Sequence, residues 1–543
     1  MADWRVHRMA KSWRAFVFSV VLIAACAMGA GVLGSSSTAS AAPPAGEDEL
    51  SQGLKAFTSI YRLAEQHAAD PVDPDKAIYQ GAVPGMLRTL DPHSSFFDPK
   101  AFAQLREDQR GTYYGVGMTV QPRNGRTVVV APFTGSPAYK AGIRPGDVIL
   151  EVNDKSTDGL NTTEVADLLR GPKGTPVQVK IAREGMDNPL VFNMLRGEIP
   201  RYSVKNAFFI RPGIAYMDIE SFNDNTSREM DEAFKRLGED KVKGLVLDLR
   251  NNPGGLLNEG VAVAGRFLKR GQTVVSHRGR TSPEKPYLAN NGSSSRTYPI
   301  VVIVNRYSAS AAEIVAGALQ DHDRGWVLGD NTFGKGLVQT VFPLTENTGL
   351  ALTTAKYYTP SGRMIQRDYS SGSFYDYYFR KNIDEKNKDD ARLTDAGRTV
   401  YGGAGIAPDE KYVQNYSKFQ LSVARGAFEM FRDFIPKYFS SRDTKLSKDW
   451  TPDAAMLKEF EAHLAEAKIT YTPEEWNENL DWLKVQLKRE ALITAVSLDE
   501  SLRYAIETDP VVDKAIESLP KAQALLDNAK KQMVQLDKRS NRD

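Results

Sequence analysis

Residues 299–313 read Pro299-Ile300-Val301-Val302-Ile303-Val304-Asn305-Arg306-Tyr307-Ser308-Ala309-Ser310-Ala311-Ala312-Glu313. The run 299–304 is unbroken apolar chain, the pattern of a strand buried on both faces, and residues 311–320 carry helical spacing directly after it. The same alternation repeats on either side. Leu245, Leu247 and Leu249 alternate as a strand, 259–268 are helical, and 273–276, 326–328 and 337–342 read as further strands. Strand and helix in turn predict an α/β core, which we draw over 199–411.

N-terminal to this core, residues 113–198 switch to short strands with one helix, at 163–169. The turn Gly115-Val116-Gly117-Met118 leaves backbone N–H groups to receive a carboxylate, and a strand edge beside it can take an extended peptide by added pairing. With Ser136-Pro137-Ala138, Gly142-Ile143-Arg144-Pro145-Gly146-Asp147 and Arg170-Gly171-Pro172-Lys173-Gly174, the segment resembles a PDZ domain. Residues 43–112 read as a small helical domain, interrupted by the turn Asp91-Pro92-His93-Ser94-Ser95. From 412 to 543 the chain reads helical, with charged faces and no chemistry to assign.

The chain has 543 residues, three or four domains' worth at ~150 each. Its net charge of +2 supplies no field to attract nucleic acid, and 41% hydrophobic with 25% charged residues is the balance of packed globular protein. A single cysteine, Cys26, excludes intramolecular disulfides and cysteine-rich metal centres. Residues 1–42 carry Arg5, Arg8, Lys11 and Arg14 before an apolar run at 15–34, then Ala39-Ser40-Ala41, the pattern of a secretory signal peptide. Retention as a membrane anchor and lipidation at Cys26 are the other two readings these residues leave open. Each places the rest of the chain across a membrane, in a bacterial envelope, periplasmic or exported.

Three segments can carry chemistry. Ser310, with Glu313 three residues on, reads as a capping box, yet a serine at a helix N-terminus just past a buried strand also sits where the Ala311 N–H can face an oxyanion. Lys335, in Gly329-Asp330-Asn331-Thr332-Phe333-Gly334-Lys335-Gly336, invites a P-loop reading that fails, because Gly336 replaces the magnesium-binding hydroxyl and a strand follows. The other use for that lysine is as a general base, made neutral by burial. The pair Gly254-Gly255, after Asp248-Leu249-Arg250-Asn251-Asn252-Pro253, is either a plain loop or a second oxyanion donor. His322 lies 12 residues past Ser310 at a polar helix end, and neither a Gly-x-Ser-x-Gly elbow nor a His-Glu-x-x-His helix is present.

Taken in order, the Asp91-Pro92-His93-Ser94-Ser95 turn, the PDZ pattern, Asp248-Leu249-Arg250 into Gly254-Gly255, the Ser308–Glu313 segment, Thr332-Phe333-Gly334-Lys335 with Gln339, and Tyr358-Thr359-Pro360-Ser361-Gly362-Arg363 resemble the carboxy-terminal processing proteases. These are tail-specific serine proteases of the Ser-Lys type. The resemblance implies a multidomain α/β protein with a crotonase-like or Clp-protease-like core, an inserted PDZ domain, an N-terminal helical segment and a C-terminal helical region. It implies Ser310 as nucleophile, Lys335 as general base and Gln339 as the residue that positions the lysine. Ala311 and one glycine of Gly254-Gly255 would donate to the oxyanion, and Gly115 to Met118 would bind the tail. No metal or cofactor is implied. Arg170 is expected either to couple the PDZ domain to the core or to stand as an exposed loop residue.

Substrates would be unfolded or tail-exposed envelope proteins. An adaptor protein and a homo-oligomer are further expected partners, nucleic acid is not, and membrane contact is confined to an uncleaved N-terminal segment. A long aromatic and charged loop at 369–401 departs from the shorter family pattern. The rivals are a non-catalytic PDZ scaffold and a Ser-His hydrolase that uses His322.

Overall fold

The computed structural model describes residues 47–540 apart from 291–295, 371–373, 380–389, 441, 443–445 and 448. The expectations for residues 1–42 therefore lie outside the described residues. Among those described, no helix is long and apolar enough to cross a membrane.

The core is a six-stranded sheet in the order Ala207–Arg211, Ile214–Asp218, Gly244–Asp248, Ile300–Val304, Trp326–Gly329 and Glu410–Lys411. Its first pair is antiparallel and the rest are parallel. Ile300–Val304 is fully buried because both faces are covered. Ile300, Val302 and Val304 meet the helices Thr226–Leu237, Leu257–Gly265 and Ala311–Asp321 on one side. Val301 and Ile303 meet Val512, Ala515 and Leu519 on the other, from Pro510–Glu517 and Leu519–Ser540. Each such side chain contributes roughly 1.5–3 kcal/mol on burial. The end of the chain, which the sequence drew as part of one helical region from 412, is thus divided. Its last helices form a layer of the α/β core, whereas the helices of 418–495 pack on their own aromatic centre of Phe431, Phe434 and Phe460.

A second sheet joins Ser95–Phe97, Gly349–Tyr358, Thr273–Arg278 and Lys285–Leu288, with Leu337–Pro343 also paired to Gly349–Tyr358. This sheet brings the Asp91–Ser95 turn and the Lys335 segment together, since both approach along the same strand.

The PDZ-like unit enters and leaves through the antiparallel ribbon Thr112–Gly115 and Gly197–Pro200. Its sheet runs Met118–Arg123, Arg126–Pro132, Val148–Val152, Pro176–Ala182 and Leu190–Leu195, with the helix Thr162–Leu169 against it. The N-terminal helix Glu47–His67 forms where the spacing predicts it, but Leu50, Leu54, Phe57, Ile60 and Leu63 stay exposed. Its apolar face contributes no core of the kind a small helical domain would need.

Candidate active site

Ser310 opens the helix Ala311–Asp321 with φ 55° and ψ −115°, outside the extended conformation usual for an N-cap. A positive φ at a serine is the strained strand-to-helix turn that thrusts a nucleophile forward. The chain reaches it without the Gly-x-Ser-x-Gly signature because its flanking residues, Ser308, Ala309, Ala311 and Ala312, are all small. That run of small residues was the available signal for the turn.

Glu313 does more than cap. Its Oε2 accepts the Ser310 N–H at 2.8 Å and the Lys335 N–H at 2.8 Å, while Oε1 accepts the Gly334 N–H at 2.7 Å and the Thr332 hydroxyl at 2.5 Å. The Phe333 N–H donates to the Ser308 carbonyl at 2.9 Å. Segments about 25 residues apart are thereby laced around one carboxylate. Burial pushes the Glu313 carboxyl up, and its hydrogen bonds work against that by favouring the ionised form. Sequence reasoning saw only the N3 position of a cap.

Ser310, Lys335 and Gln339 are 2%, 5% and 3% exposed, so all three are buried together. The Lys335 Nζ donates to Gln339 Oε1 at 2.9 Å. A β-bulge at Val338 and Gln339 lies in the strand that supplies the glutamine, a device that re-aims side chains beside active sites. Gln339 Nε2 in turn donates to the His93 carbonyl. The turn that presents this carbonyl is pinned by Asp91, which accepts the His93 N–H at 2.7 Å, the Ser94 N–H at 2.8 Å and the Ser94 hydroxyl at 2.6 Å.

The glycine pair separates into two roles. A Cβ on Gly254 would stand 2.7 Å from Ser310 Cβ and 3.0 Å from the Ala311 nitrogen, whereas one on Gly255 would stand 2.1 Å from the Phe222 carbonyl oxygen. Gly254 is therefore the member that borders the nucleophile. Its N–H donates to Asn252 Oδ1 at 2.8 Å. Asn252 also donates from Nδ2 to the Ile219 carbonyl and accepts the Ala309 N–H on its own carbonyl.

His322 is remote from this chemistry. It closes the eleven-residue helix that Ser310 opens, twelve residues on, which puts it about 18 Å away at 1.5 Å per residue. It is not the solvated helix end that the sequence suggests, because its side chain is 8% exposed and meets Asp395, Gln272 and the Thr273 carbonyl. Arg170 faces neither solvent alone nor the catalytic segments. Its guanidinium donates at 2.7 Å to Gln104, on the helix Pro99–Arg110, and lies over the Tyr113 ring.

In the PDZ-like unit, the Val116 carbonyl accepts the Ala138 N–H, and the Gly117 carbonyl accepts from Phe133 and Ser136. Trans peptide planes then direct the N–H groups of Gly117 and Met118 the opposite way, as a carboxylate nest requires. Met118–Arg123 is the edge strand of its sheet, so the groove the sequence expects has both its turn and its edge. Among the described residues, no group of three or more His, Cys, Asp or Glu is placed to hold a metal ion.

Known proteins agree with this layout. The sequence profile of Peptidase family S41 matches residues 213–372, and that of a PDZ domain matches 128–183. The chain is similar to a carboxy-terminal-processing protease of Bartonella bacilliformis, 40% identical over 326 residues that cover 59% of this chain and 74% of that one. With the carboxy-terminal processing protease CtpB of Bacillus subtilis it shares 34% identity over 324 residues, 59% of this chain and 67% of that one. Among solved structures it is similar to a photosystem II D1 C-terminal processing protease, at 32% identity, with 65% of this chain and 86% of that one covered and a TM-score of 0.35.

Proposed function

This chain belongs to peptidase family S41, the carboxy-terminal processing proteases, and from that premise we propose that it cleaves polypeptides with a Ser310–Lys335 dyad after binding their C-terminal tails in its PDZ domain. What carries the reading is the Glu313 carboxylate, which holds the backbone of Ser310 and of Lys335 at once.

Neutral Lys335 takes the Ser310 hydroxyl proton as Oγ attacks the peptide carbonyl. The tetrahedral oxyanion is received by the Ala311 N–H at the start of the helix, beside Gly254, where the absent side chain leaves room for it. The Gly254 N–H serves as second donor when it exchanges Asn252 Oδ1 for the oxyanion. The Lys335 ammonium then protonates the leaving amine, and water resolves the acyl-enzyme. Gln339 holds Lys335 in place throughout. Because Ser310 is 2% exposed, the groups over it must shift before a substrate enters.

The substrate class follows from recognition. The N–H groups of Gly117 and Met118 suit a terminal carboxylate, and pairing along Met118–Arg123 suits an unfolded tail with apolar side chains. We place the substrates in the bacterial envelope, consistent with the export pattern of residues 1–42. Arg170, held on Gln104, couples PDZ occupancy to the helix Pro99–Arg110, whose Phe102 and Leu105 pack on Phe97 and Ala351 of the second sheet.

Cleavage of an unfolded reporter with an apolar tail, read by intact mass, tests the assignment. Ser310→Ala and Lys335→Ala should each lose at least ~10³-fold in turnover, whereas His322→Ala retains it. A Lys335→Ala protein that cuts like wild type would sink the dyad.

A further inference from the structure

Hydrogen bonds close a ring around Lys335. From its amine the path runs to Gln339 Oε1 at 2.9 Å, and from Gln339 Nε2 to the His93 carbonyl. It continues from His93 Nε2 to the Tyr377 hydroxyl at 2.8 Å, and Tyr377 is met by Gln366 Nε2 at 3.2 Å. Gln366 Oε1 then accepts the N–H of Gly336 at 2.8 Å, one residue past the lysine. The donors are consistent around the ring. Burial, helped by the charge of Arg367, holds His93 well below the usual imidazole range, which keeps the ring neutral. Burial pushes the Tyr377 phenol up to about 12. A protonated phenol that accepts from Gln366 still has its own hydrogen to give, and His93 Nε2, 2.8 Å away, is the acceptor in reach when the neutral ring carries its proton on Nδ1.

Tyr377 lies on the helix Phe374–Phe379, within the long loop that departs from the shorter family pattern. It is seated firmly. Its ring meets His93 edge-on at 5.5 Å and Phe333 at 5.7 Å, the Arg367 guanidinium lies 4.2 Å over it, and Arg367 also donates to its carbonyl. Next to it, the Tyr378 hydroxyl donates to the Pro92 carbonyl at 2.9 Å, so this helix grips the Asp91–Ser95 turn at two successive residues. A buried tyrosine needs a partner in any case. What sets Tyr377 apart is that its partner leads to the lysine.

We propose that Tyr377 is a positioning residue for the general base: its hydroxyl orients His93, and through the His93 carbonyl it fixes Gln339 against Lys335. The inserted segment thereby completes the catalytic apparatus. This rests on the reading of Lys335 as the base.

The test is a set of kcat and KM measurements on the full chain with the tailed reporter, for wild type, Tyr377→Phe, Gln339→Ala, the double variant and Lys335→Ala. Phenylalanine keeps the ring packing and removes only the hydroxyl. Tyr377→Phe should lower kcat about tenfold, the scale of one lost hydrogen bond, with KM within about twofold of wild type. In the Gln339→Ala background the same change should cost less than about twofold, because the path it acts through is already cut. A merely structural tyrosine would lose the same factor in both backgrounds. The proposal is overturned by that additive result, by a Tyr377→Phe enzyme within about twofold of wild type in kcat, or by a loss confined to KM. An active Lys335→Ala enzyme instead overturns the base assignment. An inactive one beside an unimpaired Tyr377→Phe overturns only the role of Tyr377.

Discussion

The cleft around Ser310 and the groove of the PDZ unit are built on opposite plans. The PDZ groove is assembled from 112–200, around a core that runs from Val116 to Met194, and it consists of a strand at the sheet edge and a turn of backbone amides. The cleft draws on the turn at His93, the helix start at Ser310, the loop at Lys335 and a helix at Tyr377, and one of its hydrogen bonds spans 284 positions. Recognition of many tails works with backbone groups, which every sequence provides. The proton transfer proposed for Lys335 needs side chains held to within a fraction of an ångström, and only converging long-range contacts do that.

The contrast predicts that cleft substitutions destroy turnover and spare tail binding. The largest effect belongs to Gly254→Ala. Its new Cβ would stand 2.7 Å from Ser310 Cβ and 2.8 Å from the Ala309 carbonyl oxygen, at a φ of 97° that alanine resists. We expect kcat to fall at least ~10³-fold, with peptide affinity by titration unchanged. Glu313→Gln comes next. An amide has one accepting oxygen where the carboxylate has two, so its NH₂ group faces either the Ser310 and Lys335 N–H pair or Gly334 and Thr332. Steady-state kinetics should show a loss of about 10²-fold in kcat, as for a small misplacement of reacting groups.

Gly117→Ala reverses the pattern. Its φ of 74° and a Cβ 2.6 Å from Ser136 Cβ would deform the carboxylate turn, which should weaken binding of a tail peptide about tenfold and leave kcat on a short untailed substrate unaltered. A drop in that kcat would break the contrast and mean that the PDZ domain gates the cleft. The smallest effect is one of pH. Burial, helped by the charge of Arg367, depresses the His93 pKa, so below about 6.5 the unfolded chain takes a proton that the folded cleft refuses, and stability falls as pH falls. The PDZ unit, 112–200, contains no histidine. Hydrogen exchange at pH 7 and 5.5 should show opening around the Asp91–Ser95 turn, lessened in His93→Gln, and no matching histidine-dependent change in the PDZ strands.

Legibility followed the same division. The PDZ glycine turn could be read because its function lies in local backbone conformation, and the strand-helix alternation could be read because period 2 and helical spacing are written residue by residue. Ser310 and Lys335 were visible as candidates through their local motifs. Glu313 looked like an ordinary cap, since nothing nearby reveals that Gly334 and Lys335 also donate to it. Asp91-Pro92-His93 looked like a turn, and it is one, but its function is to offer a carbonyl to a glutamine 246 positions away. Arg170 could be placed in its loop and not against its partner on Gln104.

By itself, the sequence determined the α/β core and the PDZ unit, because each is carried by a pattern written along the chain, and it offered Ser310, Lys335 and, through a family resemblance, Gln339 as candidates. Only the tertiary structure decided which glycine borders Ser310, that one buried carboxylate binds both the Ser310 and the Lys335 segments, that the last helices are a layer of the core and that Tyr377 reaches the lysine's network. Those facts depend on which distant surfaces are buried together, and burial is a property of the folded whole, where a carboxylate or an amine removed from water must take its partners from wherever the chain brings them.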